Sequence, residues 1–337
     1  MDKETVLITG ATGFIGSHVT KEVVATGKYK VVAIVRETKD YKNTDELSRN
    51  GVQLIKGLFY DSQVLWALFH DQRISHVIHL AALRGTGLAE EREYQIVNVD
   101  GTERLLEYAL IHGVEKFVFC STVGVFGTIP AEVPAGPNTP LAGDNPYHRS
   151  KVLAEEKVLS YSEKGLDGYI IRPTIVYGNG NHGFPDRLIM MVKGHQLLLP
   201  TRDIKFHLLY VKGVSDVIKR VLEVDNLEKK VLVVADKEPV SLYELVNLIH
   251  MFYYNKKYPN IFRVPSYVYR LTAIFFRLIG NEKWKSRASW LCKDWYYDIA
   301  DTCKTVNYIP FDTRSEFTKY LRCRGEMSQD YRGLKPL

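Results

Sequence analysis

Short runs of apolar and β-branched residues alternate with longer amphipathic stretches through the first half of the chain. The runs fall at residues 6–9, 30–35, 53–56, 76–80, 116–121 and 168–172, and each is mostly apolar along its whole length. A strand with no wet side is buried on both faces, which requires helices above and below it. The intervening stretches at 17–26, 62–70, 98–112 and 147–164 supply them. The alternation predicts an α/β fold, a Rossmann-type doubly wound parallel sheet with ligands at the carboxyl ends of its strands.

Beyond residue 172 the rhythm loosens into a loop at 178–185, a strand-like 206–211, a helix-like 212–223 and another strand at 230–235. The expected organisation is an NAD(P)-binding domain over 1–178, to which 206–235 returns, and a smaller, mostly helical C-terminal substrate domain made of 179–205 and 236–337. Four prolines, Pro130, Pro134, Pro137 and Pro140, mark the stretch 128–145 as a loop over the cleft. No internal repeat or low-complexity tract interrupts the chain.

Composition excludes several classes. With 45% hydrophobic residues over 337 positions there is ample material for a core. The net charge of +6 is unevenly placed: from Lys256 onward, 16 Lys and Arg face 8 Asp and Glu. That excess suits an anionic substrate, a membrane face or a solvated surface, and it contains no motif that reads nucleic acid. Cys120, Cys292, Cys303 and Cys323 lack metal-ligand spacing, so no metal site is expected. The charged start of the chain runs straight into a strand, which predicts no leader and a cytoplasmic location. The apolar stretch 267–280 is broken by Arg270 and Arg277 and is too short to span a bilayer, although it can touch one.

The chemistry begins at Thr9-Gly10-Ala11-Thr12-Gly13-Phe14-Ile15-Gly16, between a strand and a helix. Glycines there let the backbone turn sharply and approach a pyrophosphate, whose charge meets free N–H groups at the helix start. Gly10, Thr12, Gly13, Phe14, Ile15 and Gly16 are therefore candidate cofactor contacts. The second strand ends in Arg36, which favours NADP with Lys39 and Lys42 as helpers. Glu37 keeps NAD open, since a carboxylate at that place holds the 2′-hydroxyl.

A tyrosine followed four residues later by lysine occurs three times: Tyr147/Lys151, Tyr253/Lys257 and Tyr331/Lys335. Only the first follows a helix start, Asp144-Asn145-Pro146, near the cleft. A phenol is a poor base near neutrality, and a neighbouring ammonium and an oxidised nicotinamide both favour its ionised form. Tyr147 is thus the expected acid/base and Lys151 its activator and ribose contact. Thr122 is the expected hydroxyl donor, with Ser121 second.

These motifs, in this order, resemble the extended short-chain dehydrogenase/reductases, which include the NAD-dependent epimerases and dehydratases. The likeness rests on TGATGFIG, on His79-Leu80-Ala81-Ala82, on Asn98-Val99-Asp100-Gly101-Thr102, on Ser121-Thr122, on Tyr147 to Lys151 and on Arg172-Pro173-Thr174-Ile175-Val176-Tyr177-Gly178. It implies that Thr122, Tyr147 and Lys151 form the catalytic triad, that Ala81 and Ala82 border the cofactor, and that the protein forms a homodimer. Asn98 supports the site or caps the following helix. Three positions depart from the pattern: Arg36 replaces the acidic residue usual with NAD, Leu58 an aspartate beside the adenine, and Ile175 the asparagine common in nucleotide-sugar epimerases. The departures point to the reductase and 3β-hydroxysteroid-dehydrogenase-like branches. The leading expectation is therefore hydride transfer between NADP and a secondary alcohol or ketone of a small molecule. The alternatives are a nucleotide-sugar epimerase or dehydratase holding NAD tightly, and a non-catalytic cofactor-binding scaffold.

Overall fold

In the computed structural model, which describes residues 3–36, 41–84, 89–180 and 183–330, the apolar runs form seven strands. They are β1 (Glu4–Thr9), β2 (Tyr29–Val35), β3 (Gln53–Lys56), β4 (His76–His79), β5 (Lys116–Cys120), β6 (Gly168–Pro173) and β7 (Val231–Val234). All neighbours pair in parallel, in the spatial order β3-β2-β1-β4-β5-β6-β7. The order reverses between β1 and β4, so the crevice where ligands bind in such sheets opens there.

Period-two alternation sorts the strand side chains between two apolar layers. Val6 and Ile8 share one layer with Val19 and Val23 of α1 (Phe14–Ala25) and with Val214, Val217 and Ile218. Leu7 points the other way, with Phe117 and Phe119, onto Leu65 of α3 (Ser62–Asp71) and onto Leu105 and Leu106. Between α1 and α3 lies α2 (Tyr41–Arg49), which the sequence pattern did not announce.

The helix after β4, α4, is longer than the pattern predicts. It starts at Glu91 with a Glu90/Glu93 capping box, passes through a π-helical turn, Gln95–Asp100, and continues as Gly101–Ile111. Next in the chain come α5 (Pro146–Glu163), α6 (Phe184–Lys193) and α7 (Val211–Glu223).

The stretch 206–235 splits. Its later part supplies α7, which shares the α1 layer, and the edge strand β7. Its first part leaves the large sheet: Leu208–Tyr210 pairs with Ile175–Tyr177, and Lys205–Phe206 pairs antiparallel with Val240–Ser241. A second core lies under these short ladders, with Tyr177, Leu188, Phe206, Leu245, Trp295 and Phe317. The helices α8 (Leu242–Tyr254), α9 (Ser266–Leu278), α10 (Glu282–Ser289), α11 (Ala300–Thr305) and α12 (Thr313–Asp330) complete the chain. Among the described residues no helix is long and apolar enough to cross a membrane.

Asp236, fully buried, stitches the second core to the strand ends. It accepts from Tyr177 Oη at 2.9 Å, Thr313 Oγ1 at 2.8 Å and the Tyr210 N–H at 2.9 Å. Burial pushes its carboxyl up to about 7 despite these donors.

Two outcomes follow from this architecture. A Cβ at Gly16 would overlap Gly10 O and sit 2.7 Å from Gly10 C, both backbone atoms unable to swing aside. Gly16→Ala should therefore cost about 1–3 kcal/mol in urea unfolding, and an unchanged midpoint would refute the close approach. Asp236 holds a proton in the folded state that the unfolded chain has released from pH ~4 upward. Its contribution to stability is therefore full below that pH and lost as pH rises through about 7. The urea midpoint of wild type should fall relative to that of Asp236→Asn across this window, and a constant difference between the two would exclude Asp236 as the titrating group.

Candidate active site

The turn after β1 is built by exclusion. Gly10 has φ +74°, and a Cβ there would lie 2.7 Å from Ala81 N, so the turn presses on the backbone leaving β4. The Gly13 N–H donates to Gly10 O at 3.0 Å, and α1 starts at Phe14 with no side chain capping it and no acid in its first turn. Its N-terminus thus keeps the field and the donors that suit a pyrophosphate. Gly13 is exposed, Thr12, Phe14 and Ile15 are half-buried and Gly16 is buried. This cradle, which side chains would fill, fits a dinucleotide.

His79 explains how the two strand ends are held. The single Thr102 hydroxyl proton goes to Asn98 O at 2.6 Å, so Thr102 Oγ1 accepts from His79 Nε2 at 3.0 Å. His79 Nδ1 is then bare and accepts from Thr9 Oγ1 at 2.6 Å, while Thr9 Oγ1 accepts the Ala81 N–H at 3.2 Å. Burial, with the Lys151 charge adding to it, holds the imidazole down to about 3, so it stays neutral. Ala81 and Ala82 follow directly, half-buried beside the glycine turn.

Asn98 does not cap a helix. It lies buried in the π-helical turn, accepting from the Leu83 N–H at 2.7 Å and donating to Leu83 O at 3.0 Å and Ser150 Oγ at 2.9 Å. Ser150 donates in turn to Tyr147 O at 2.8 Å. Asn98 therefore ties the Ala81–Ala82 segment to α5, and the π turn is the local departure that aims it there.

The start of α5 follows from its sequence. Asn145 caps it by accepting from the His148 N–H at 2.9 Å, and Pro146 occupies the first turn. Asp144 accepts from His148 Nδ1 at 2.7 Å and from the Thr128 N–H at 2.8 Å. Burial alone would raise its carboxyl, but these bonds hold it at about 2. His148 fills the space over Gly124, where a Cβ would clash with its ring.

Tyr147 and Lys151 accordingly face the end of β5. Lys151 is 3% exposed, and its Nζ donates to Cys120 O at 2.8 Å and lies 4.5 Å from the centre of the Phe119 ring. Burial holds its ammonium down to about 8. Thr122 caps the short 3-10 turn Val123–Phe126, accepting from the Gly124 N–H at 3.1 Å, which leaves its hydroxyl proton to donate. Ser121 Oγ is buried without a hydrogen-bond partner among the described residues. The structure thus brings Thr122, Ser121 and Lys151 to one strand end, with the Tyr147 phenol near enough to Cys120 for the two to interact.

One expectation reverses. Tyr147 is not shifted down by Lys151: burial pushes the phenol up, Cys120 and Tyr94 add to this, and Arg84 opposes it. The ammonium is directed to the Cys120 carbonyl, and desolvation dominates. The resting tyrosine is therefore a proton donor.

Arg36 follows β2 and is exposed, while Glu37, Lys39 and the Lys42 side chain lie outside the described residues. Tyr253 stands apart from the site, with the Lys193 ammonium 4.3 Å over its ring, and Tyr331 and Lys335 lie outside the described residues. Leu58 is 37% exposed and Ile175 opens the short strand Ile175–Tyr177.

Sequence reasoning missed an ion pair beneath the site. Glu155, one turn beyond Lys151, accepts from Arg172 Nε at 3.0 Å and Nη2 at 2.6 Å, both residues at most 4% exposed. A lone arginine in an apolar strand was the available signal, because a buried charge must find a partner.

The model of the NAD dependent epimerase/dehydratase family matches residues 6–235. The chain belongs to this family. Among curated relatives, the dTDP-D-glucose 4,6-dehydratase of Mus musculus is 37% identical over 194 residues, covering 55% of this chain and 53% of that protein. The UDP-glucose 4-epimerase of Homo sapiens is 30% identical over 211 residues, 56% of this chain and 60% of that one. UDP-glucose 4-epimerase GEPI48 of Cyamopsis tetragonoloba is 32% identical over 169 residues, and the match spans about half of its length (47%). Solved structures share the fold throughout. The UDP-glucuronic acid 4-epimerase from Bacillus cereus in complex with NAD superposes with a TM-score of 0.73 at 22% identity, covering 95% of this chain and 99% of that one. The UDP-glucose 4-epimerase of Thermotoga maritima with UDP-glucose gives 0.75 at 20% identity, covering 96% and 99%. Family membership makes the chain an enzyme of the extended short-chain dehydrogenase/reductase type.

The buried pair supplies its own outcome. Glu155→Ala leaves Arg172 charged, buried and unpaired, and should cost about 3–5 kcal/mol in urea unfolding, with much of it recovered when both residues become methionine. A single-variant loss below ~1 kcal/mol would show that the pair is not desolvated as described.

Proposed function

We propose that this protein is an NAD-dependent epimerase or dehydratase of a nucleotide-linked sugar, oxidising a secondary hydroxyl and restoring or eliminating at the same ring, with Tyr147 as acid/base. The observation that supports the reading is buried Lys151 with the Thr122 and Ser121 hydroxyls at the end of β5, where Cys120 also feels the Tyr147 phenol, together with the glycine cradle after β1. The activities named for its relatives favour this reading over a dissociable alcohol or ketone reductase.

When bound, NAD supplies the hydride acceptor and donor. The turn from Gly10 to Gly16 and the N-terminus of α1 would hold its pyrophosphate, and Lys151 would donate to its ribose hydroxyls. Thr122 donates to the substrate oxygen and orients it. Tyr147, protonated at rest, would lose that proton to solvent water when positive charge gathers beside it; the phenolate then takes the proton of the substrate hydroxyl and later returns it. Lys151 brings its own charge to this strand end, and that charge is lost as pH rises through about 8. NAD replaces NADP as the proposed cofactor. Solved neighbours carry NAD in their names, and an exposed Arg36 can lie against the adenine without a 2′-phosphate to bind.

Tyr147→Phe should retain NAD and lose turnover of UDP-glucose or dTDP-glucose by ~100-fold or more. Undiminished turnover would remove Tyr147 from the chemistry. Purified wild type should release NAD on denaturation. Protein that arrives free of cofactor and turns over with NADPH would instead support the reductase reading.

A further inference from the structure

Helix α9 is apolar on the wrong side for a free surface helix. None of its residues is buried, and Tyr267, Leu271, Ile274, Phe275 and Leu278 are all exposed, Tyr267 by 64% and Leu278 by 80%. Their spacing of four, three, one and three residues places them on a single helical face. Leu198, whose carbonyl accepts from the Tyr269 hydroxyl on the other side of the helix, is exposed as well. Isolated apolar residues on a surface need no explanation, but a contiguous stripe of this size marks a contact.

The charge of the segment that carries the stripe identifies the partner. Residues 256–293 hold nine basic residues, Lys256, Lys257, Arg263, Arg270, Arg277, Lys283, Lys285, Arg287 and Lys293, against one acid, Glu282. This segment therefore carries +8 in a chain of net +6, leaving −2 for everything else. Arg270 and Arg277 are exposed and, seven residues apart, flank the same edge of the stripe, where long cationic side chains can reach headgroups while the apolar face enters the acyl boundary. A second copy of the chain would bring two such charged faces together and be repelled. An anionic bilayer complements the charge and the apolar stripe at once. The helix has 13 residues, well short of the ~20 needed to span, so it would lie in the plane of the interface.

We infer that α9 and its basic surround dock this protein on the surface of an anionic lipid bilayer. The docking face is linked to the cleft: Phe276 stacks on Trp284 at 5.8 Å, and Ser286 of α10 meets Thr128 at 3.3 Å, in the loop that leaves the Thr122 turn. The inference does not depend on the proposed substrate.

The test is co-sedimentation of the full chain with vesicles of phosphatidylcholine alone or with phosphatidylglycerol, alongside light scattering of the protein without lipid. Wild type should sediment with the anionic vesicles at least tenfold better than with neutral ones, and lose this in high salt. Leu271→Glu/Phe275→Glu alters only exposed side chains, so its melting temperature should stay near that of wild type while its vesicle binding falls at least tenfold. Arg270→Glu/Arg277→Glu should lose the preference for anionic lipid. Wild type that stays in the supernatant with both vesicle types overturns the inference, as does a Leu271→Glu/Phe275→Glu variant that binds like wild type. A dimer dissolved by the same double substitution, without vesicle binding, assigns the face to a second copy instead.

Discussion

His79 sits between Thr9 and Thr102 in a region without water, where its imidazole cannot hold a charge and each ring nitrogen must still be bonded. With the Thr102 proton given to the Asn98 carbonyl, those two requirements leave one arrangement of protons along Thr9, His79 and Thr102. The chain of bonds closes the ends of β1 and β4 onto the π turn of α4, and it presents the Ala81 N–H to Thr9. The glycine turn depends on this closure, since Gly10 leans on the Ala81 backbone so tightly that no side chain fits between them.

The same constraint runs through the other wall of the cleft. Parallel strands covered on both faces end in a dry zone, so polar groups there must be satisfied within the protein. Lys151 is satisfied by the Cys120 carbonyl, Glu155 by Arg172 and Asp144 by His148 and Thr128. The Ser121 hydroxyl and one Arg172 nitrogen have no partner among the described residues. Rigid surroundings with a few unspent hydrogen-bonding groups are what a site needs in order to orient a polar ligand. Desolvation also raises the Tyr147 phenol, so its ionisation depends on charge that arrives with a ligand and is absent from the resting protein.

Charge divides the molecule differently from its layers. The sheet domain and the second core meet through Asp236, which joins Tyr177, Tyr210 and Thr313 across long stretches of sequence. The basic excess lies in residues 256–293, the segment that carries α9, whose apolar face is flanked by Arg270 and Arg277. The proposed attachment and the proposed catalysis thus rest on separate parts of the chain, α9 at Ser266–Leu278 and the strand end with Thr122, Tyr147 and Lys151, connected through the loop at Thr128.

Local pattern was enough for the seven-stranded sheet, because burial on both faces leaves unbroken apolar runs, and for the glycine turn and the cap at Asn145, because both are chemistries of a few adjacent residues. It also chose Tyr147 over Tyr253, since only one of them follows a helix start beside the cleft. The length of α4 and its π turn were not legible, nor was the work of Asn98, because a helix's path depends on what it packs against. Arg36 could be seen but not interpreted, since the cofactor preference rests on how a whole pocket closes around it. The pairing of Arg172 with Glu155, the direction of the Tyr147 shift and the knot at Asp236 belonged to tertiary structure alone. Each arises from residues far apart in the chain meeting where water is excluded, and desolvation has no signature along a sequence.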